Sequence, residues 1–162
     1  MLKRSVKQNV APLDFSDDKL ANLLRYLADD ENWVRFEKEL NGHILRVYKL
    51  EKEPIRVDST TASGYWEITE DGLFQLGHSK DHRPDLPQFK VNLSTLDPLG
   101  MPVVTHVLSG NAADDPLYVP AIKSVRESIP GRNLFYIGDC KMAALATRGF
   151  ISKGGDYYLC PL

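Results

Sequence analysis

Two aspartates stand in or just past strand patterns. Asp58 follows Ile55-Arg56-Val57 and precedes Ser59-Thr60, an alternating, β-branched run that reads as a strand. Asp139 follows Gly138 and the apolar run Leu134-Phe135-Tyr136-Ile137, the pattern of a short strand buried on both faces. A carboxylate in or just past an apolar strand is costly unless it is paired, hydrogen-bonded or bound to metal. If the two strands are neighbours, both carboxylates reach one point at the sheet edge, where they repel and a divalent cation removes the repulsion. Mg²⁺ takes one or two carboxylates together with water and phosphate oxygens. A metal pair roughly 3.5–4 Å apart can activate a water or a 3′-hydroxyl and stabilise the leaving oxygen of an in-line phosphoryl displacement. The same residues also have a reading without chemistry. Asp in Val-Asp-Ser-Thr can bond its neighbouring backbone, and Gly-Asp is ordinary turn material.

Other reactive types carry less. His78 and His82 are four apart, but Pro84 and Asp85 place them on a loop, with no third ligand nearby for zinc. Lys80, His82 and Arg83 form a local basic cluster that can touch phosphate or sit solvated on the loop. Cys140 beside Asp139 reads as a small packing residue.

The elements that must position these groups follow from periodicity. Ser16 is an N-cap candidate with Asp17 and Asp18 in the first turn. Leu20, Leu23, Leu24 and Leu27 then mark one apolar helical face, enough to dock the helix. Asp29-Asp30 breaks the pattern, and Trp33, Phe36, Leu40, Ile44 and Val47 restart it as a second helix ended by Pro54. After the strand at 55–60 comes a polar, aromatic stretch punctuated by Gly64, Gly72, Gly77, Pro84 and Pro87. Phe89, Val91, Leu93 and Thr95 alternate with Lys90, Asn92 and Ser94, and Asp97-Pro98-Leu99-Gly100 turns the chain back into a strand at 103–108. Ala121, Ile122, Val125 and Ile129 form a helical face stopped by Pro130-Gly131; Met142 to Thr147 reads as a short helix closed by Gly149; Tyr157-Tyr158-Leu159 is a last strand. An antiparallel hairpin followed by strand–helix–strand connections implies a mixed sheet with helices packed on it.

Bulk numbers set limits. A chain of 162 residues, 43% hydrophobic and 26% charged, suits one globular domain with a real core. No apolar run approaches the roughly 20 residues of a membrane span. The basic start Met1-Leu2-Lys3-Arg4 lacks the apolar stretch of a signal peptide. Two cysteines, Cys140 and Cys160, make no disulfide framework, so a reducing cytoplasm is expected. A net charge of −2 argues against a self-sufficient DNA-binding protein and leaves room for a catalytic core.

Four segments together resemble the DDE transposases of the IS-four superfamily of bacterial insertion sequences. Val57-Asp58-Ser59-Thr60-Thr61 is similar to the first-aspartate motif, and Ile137-Gly138-Asp139-Cys140-Lys141-Met142 to the second. Leu76 to Gln88 is similar to the segment preceding the hairpin, and Leu108-Ser109-Gly110-Asn111-Ala112-Ala113-Asp114 to the loop after it. The resemblance implies an α/β, ribonuclease H-like mixed sheet with flanking helices over residues 51–162, incomplete at its C-terminus and preceded by a helical segment over 1–50. It implies Asp58 and Asp139 as catalytic ligands of Mg²⁺ or Mn²⁺, and DNA, both element ends and target, as the substrate. Lys80, His82 and Arg83 would contact the nucleic acid, and a homodimer would form within a transposition complex. The family's third acidic residue, a glutamate on a later helix, is expected beyond Leu162. The chain alone is then expected to bind metal weakly and neither nick nor join DNA, with apolar residues near Phe135, Ile137, Tyr157 and Leu159 left uncovered. The rival expectation is a non-catalytic remnant acting as a DNA- or protein-interaction module.

Overall fold

In a computed structural model, residues 11–50, 54–80, 82–129, 131 and 133–161 are described. The basic residues at the N-terminus, Asp81 and Pro130 lie outside them. The chain divides into two compact units, Met1–Glu39 and Leu40–Leu162.

In the first unit, a short 3-10 turn at Pro12–Phe15 leads into α1, Asp17–Leu27, with Ser16 at the N-cap position but making no side-chain capping bond. Helix α1 stops at Ala28, and the Asp29 carboxylate accepts the Asn32 N–H at 3.0 Å, which starts α2, Asp30–Tyr48. The apolar face read for α1 does not become a core: the helix has no buried residue, and Leu20, Leu23 and Leu24 are exposed.

Helix α2 crosses into the second unit, and its buried positions there are Asn41 and Leu45. Leu40 and Val47, expected inside, are exposed. The buried stripe is offset because the Asn41 amide donates to the Val103 carbonyl while Leu45 enters the core, with Ile44 packed against it. The helix ends earlier than Pro54 implies: Lys49 adopts a left-handed φ of 56° and the Leu50 N–H returns to the Leu45 carbonyl at 3.2 Å.

Five strands follow: β1 Ile55–Ser63, β2 Gln88–Leu96, β3 Met101–Ser109, β4 Phe135–Ile137 and β5 Tyr157–Leu159. They form one sheet in the order β3-β2-β1-β4-β5. The first three are antiparallel, while β1-β4 and β4-β5 are parallel. This is the mixed, ribonuclease H-like arrangement with flanking helices. Helix α3, Tyr118–Ser128, packs on β2 and β3, and Ala121, Ile122, Val125 and the following Ile129 are all buried. With Ile55, Val57, Leu96, Val104 and Tyr136 they make the core.

Three local expectations need correction. In β2 the polar set is the buried one: Gln88, Lys90, Asn92 and Ser94 lie inside, while Phe89, Val91 and Leu93 are half-buried. Lys90 tolerates this because Asp114 pairs with it at 2.6 Å, and the Gln88 amide donates to the carbonyls of His78 and Gly110. The helix placed at 142–147 is instead α4, Leu145–Lys153, with Gly149 inside it. Residues 139–144 are consumed by a turn that the Asp139 side chain holds, and Gly154-Gly155, the latter at φ 78°, close the helix. Strand β4 is buried on one face, at Tyr136, while Phe135 and Ile137 on the other face are half-buried.

Candidate metal and nucleic-acid site

Parallel pairing of β1 with β4 sets Ile55 against Tyr136 and Arg56 against Ile137. Asp58, inside β1, and Asp139, just past the end of β4, each lie two residues beyond the last pair in the shared strand direction. Along β1 the buried positions are Ile55, Val57, Ser59 and Thr61, so alternation turns Asp58 outward. Its side chain is 77% exposed. The expected cost of burying that charge therefore does not arise, because water solvates it. Asp139 is half-buried in the turn that follows β4.

Both carboxylates have one oxygen engaged. Asp58 Oδ1 accepts the Ser59 N–H at 2.7 Å and lies 3.9 Å from Lys80 Nζ. Asp139 Oδ1 accepts the Tyr118 hydroxyl at 2.6 Å, the Lys141 N–H at 2.9 Å and the Met142 N–H at 3.4 Å. Gly138 is needed beside this turn: a Cβ there would stand 2.6 Å from Met142 Sδ and 2.9 Å from its Cβ, and Met142 is fully buried.

Tyr118 joins the two aspartates electrostatically. Burial raises its phenol pKa far above the ordinary value, and the hydrogen bond to Asp139 and the charges of Asp139, Asp58 and Asp114 push it the same way. Asp114 precedes α3. Its burial acts to raise its pKa, but the hydrogen bond and charge of Lys90, with the charges of Lys80 and Lys141, outweigh that and hold it below the usual carboxylate value. Three acids and three lysines thus share this end of the sheet. The sequence singled out neither Tyr118 nor Lys90, and Asp114 only as the last residue of the Leu108–Asp114 segment. Tyr118 does extend the face of Ala121, Ile122 and Val125 one turn back, a signal that periodicity offers.

The basic cluster divides. Lys80 lies along β1: its N–H donates to Thr61 Oγ1 at 3.2 Å, and its ammonium reaches the Ser59 carbonyl and, at 3.4 Å, Ser59 Oγ. Arg83 is held by Asp85 through two hydrogen bonds of 2.9 and 2.8 Å. His82 occupies a left-handed position, φ 57°. Cys140, expected to pack, is exposed on the turn after Asp139.

For a divalent ion the donor chemistry fits in part. Among the described residues the two carboxylates each keep an oxygen with no hydrogen bond, as Mg²⁺ or Mn²⁺ coordination by few protein oxygens requires. Among the described residues no group of three or more His, Cys, Asp or Glu side chains is placed to hold a metal.

The strand order and the flanking helices make a ribonuclease H-like arrangement. No protein-family model and no curated protein matches the chain. Among solved structures it is similar to a Mos1 transposase paired-end complex with left transposon end, at 12% identity and a TM-score of 0.46, covering 98% of this chain and 56% of that one. It is also similar to the Mos1 strand transfer complex, at 13% identity and a TM-score of 0.43, covering 99% and 56%. The chain thus spans about 56% of the length of these transposases.

Proposed function

We propose that residues 51–162 are a catalytic domain of the DDE transposase kind, preceded by a helical segment over 1–50. In this reading the chain belongs with the IS-four transposases, and Asp58 and Asp139 bind Mg²⁺ or Mn²⁺. The observation that supports it is the β1–β4 parallel register, in which each motif aspartate lies two residues beyond the last paired residue of its strand. The free oxygens Asp58 Oδ2 and Asp139 Oδ2 are the metal ligands. When bound, the metal supplies charge stabilisation for phosphoryl displacement on DNA. The chain's own side chains orient and hold. Lys80, fixed on the Ser59 carbonyl, presents a cation beside Asp58 for a DNA phosphate, with His82 and Arg83 further along the same segment. A DNA duplex at element ends or target is the partner, engaged as a homodimer.

Calorimetric titration of the chain with Mn²⁺ tests this. Binding is expected to be weak and to disappear in both Asp58→Asn and Asp139→Asn. Equal binding by either variant would remove the site, leaving the fold as a DNA- or protein-interaction module. DNA retention insensitive to metal and to both substitutions would mark that alternative.

A further inference from the structure

We propose that Tyr118 is a positioning residue for Asp139, setting its carboxylate so that one oxygen faces the metal; this rests on the metal-site reading above. All three hydrogen bonds to Asp139 fall on Oδ1. Two come from N–H groups of its own turn, which any aspartate in such a turn receives. The third comes from a different element, and it is the shortest, 2.6 Å. A carboxylate held only by its own turn can still rotate about its side-chain bonds. A donor anchored elsewhere removes that freedom and leaves Oδ2 as the one unengaged ligand atom.

Tyr118 is well placed to act as that anchor. Its ring is fully buried at the first residue of α3, so the hydroxyl position is fixed by packing. The chain just before α3 is tied to the sheet by the ion pair of Asp114 with Lys90, whose side chain is only 5% exposed. The linkage therefore runs from β2 through Lys90 and Asp114 to α3, and from Tyr118 to the end of β4. Groups that orient metal ligands in this way are typically worth about 10–100-fold in metal affinity. A ring present only to fill the core would be replaced by phenylalanine without consequence for metal.

The test measures Mn²⁺ binding and the metal-free Tm of the full chain and of Tyr118→Phe. Affinity is expected to fall about 10–100-fold while the metal-free Tm stays close to that of the parent. Unchanged or tighter binding in a folded Tyr118→Phe overturns the positioning role and leaves the metal site standing. Absence of Asp139-dependent binding in the unsubstituted chain overturns the metal site and this role with it. If Tyr118→Phe does not fold, the unsubstituted chain with isotopically labelled tyrosine rings decides by NMR. A Tyr118 resonance that shifts as Mg²⁺ saturates the site supports the linkage, and one that stays fixed overturns it.

Discussion

His106 shows how one half-buried side chain makes stability depend on pH. It lies on β3 opposite Asn92, with Nε2 3.1 Å from Ser124 Oγ on α3. Burial depresses its pKa below the ordinary value of 6.5. In the unfolded chain the imidazole takes up a proton as pH falls through 6.5, and in the folded chain it resists until lower pH. Below 6.5 the unfolded state therefore binds more protons, and stability drops with acidification. One group can contribute at most about 1.4 kcal/mol per pH unit. Asp114 has a depressed carboxylate pKa and acts only in the lower window, beneath its ordinary 3.8. His106→Gln should flatten the decline in Tm just below pH 6.5, read by thermal melts in a pH series. An unchanged slope would assign the decline to other groups. At this scale the sequence made Asp58 and Asp139 legible, because each sits at a fixed place relative to a strand pattern. Tyr118 and Lys90 were not legible, because their roles exist only once α3 crosses the sheet. An alternating strand shows two faces but not which one a helix will cover.

Between elements, Asp156 is the main polar tie. Its Oδ2 accepts from Arg126 Nε on α3 at 2.8 Å, and its Oδ1 accepts the Leu134 N–H beside β4 at 2.9 Å. The side chain is 4% exposed, and the Arg126 guanidinium also lies over the Phe150 ring of α4, 4.6 Å from its centre. One carboxylate thus links α3 to the β4–β5 half of the sheet. Removing one partner of a buried ion pair typically costs about 3–5 kcal/mol, because the other charge is left uncompensated. Asp156→Ala should lose an amount in that range by urea unfolding. Asp156→Asn, which keeps an acceptor for Leu134, should lose less. A loss under about 1 kcal/mol, the level of exposed pairs, would mean the tie is solvated. The elements themselves were largely legible. The hairpin and the buried face of α3 follow from period and order, while the pairing of β1 with β4 accords with what the resemblance implies. What failed were boundaries set by tertiary contacts: α4 starts late because Asp139 shapes the preceding turn, and the buried stripe of α2 is displaced by the Asn41 bond to Val103.

For the molecule as a whole, the sheet is asymmetric. Its β3 side is packed beneath α3, whereas the opposite edge is β5, which pairs only with β4 among the described strands. All three residues of β5 are exposed, Tyr157 at 61% and Leu159 at 57%. The strand's outward N–H and C=O groups are a template for another strand, and an apolar edge does nothing to discourage one. A net charge of −2 adds little repulsion between copies. The 162-residue chain should therefore self-associate with rising concentration, as sedimentation velocity would show. Leu159→Lys places on that edge the charge by which natural sheets block pairing, and it should shift the chain toward monomer. Because Leu159 is exposed, the substitution gives up little buried area, and the Tm of the monomer should hold. A parent chain that stays monomeric throughout, or a lysine variant that associates as strongly as the parent, would show that this edge is not where copies meet.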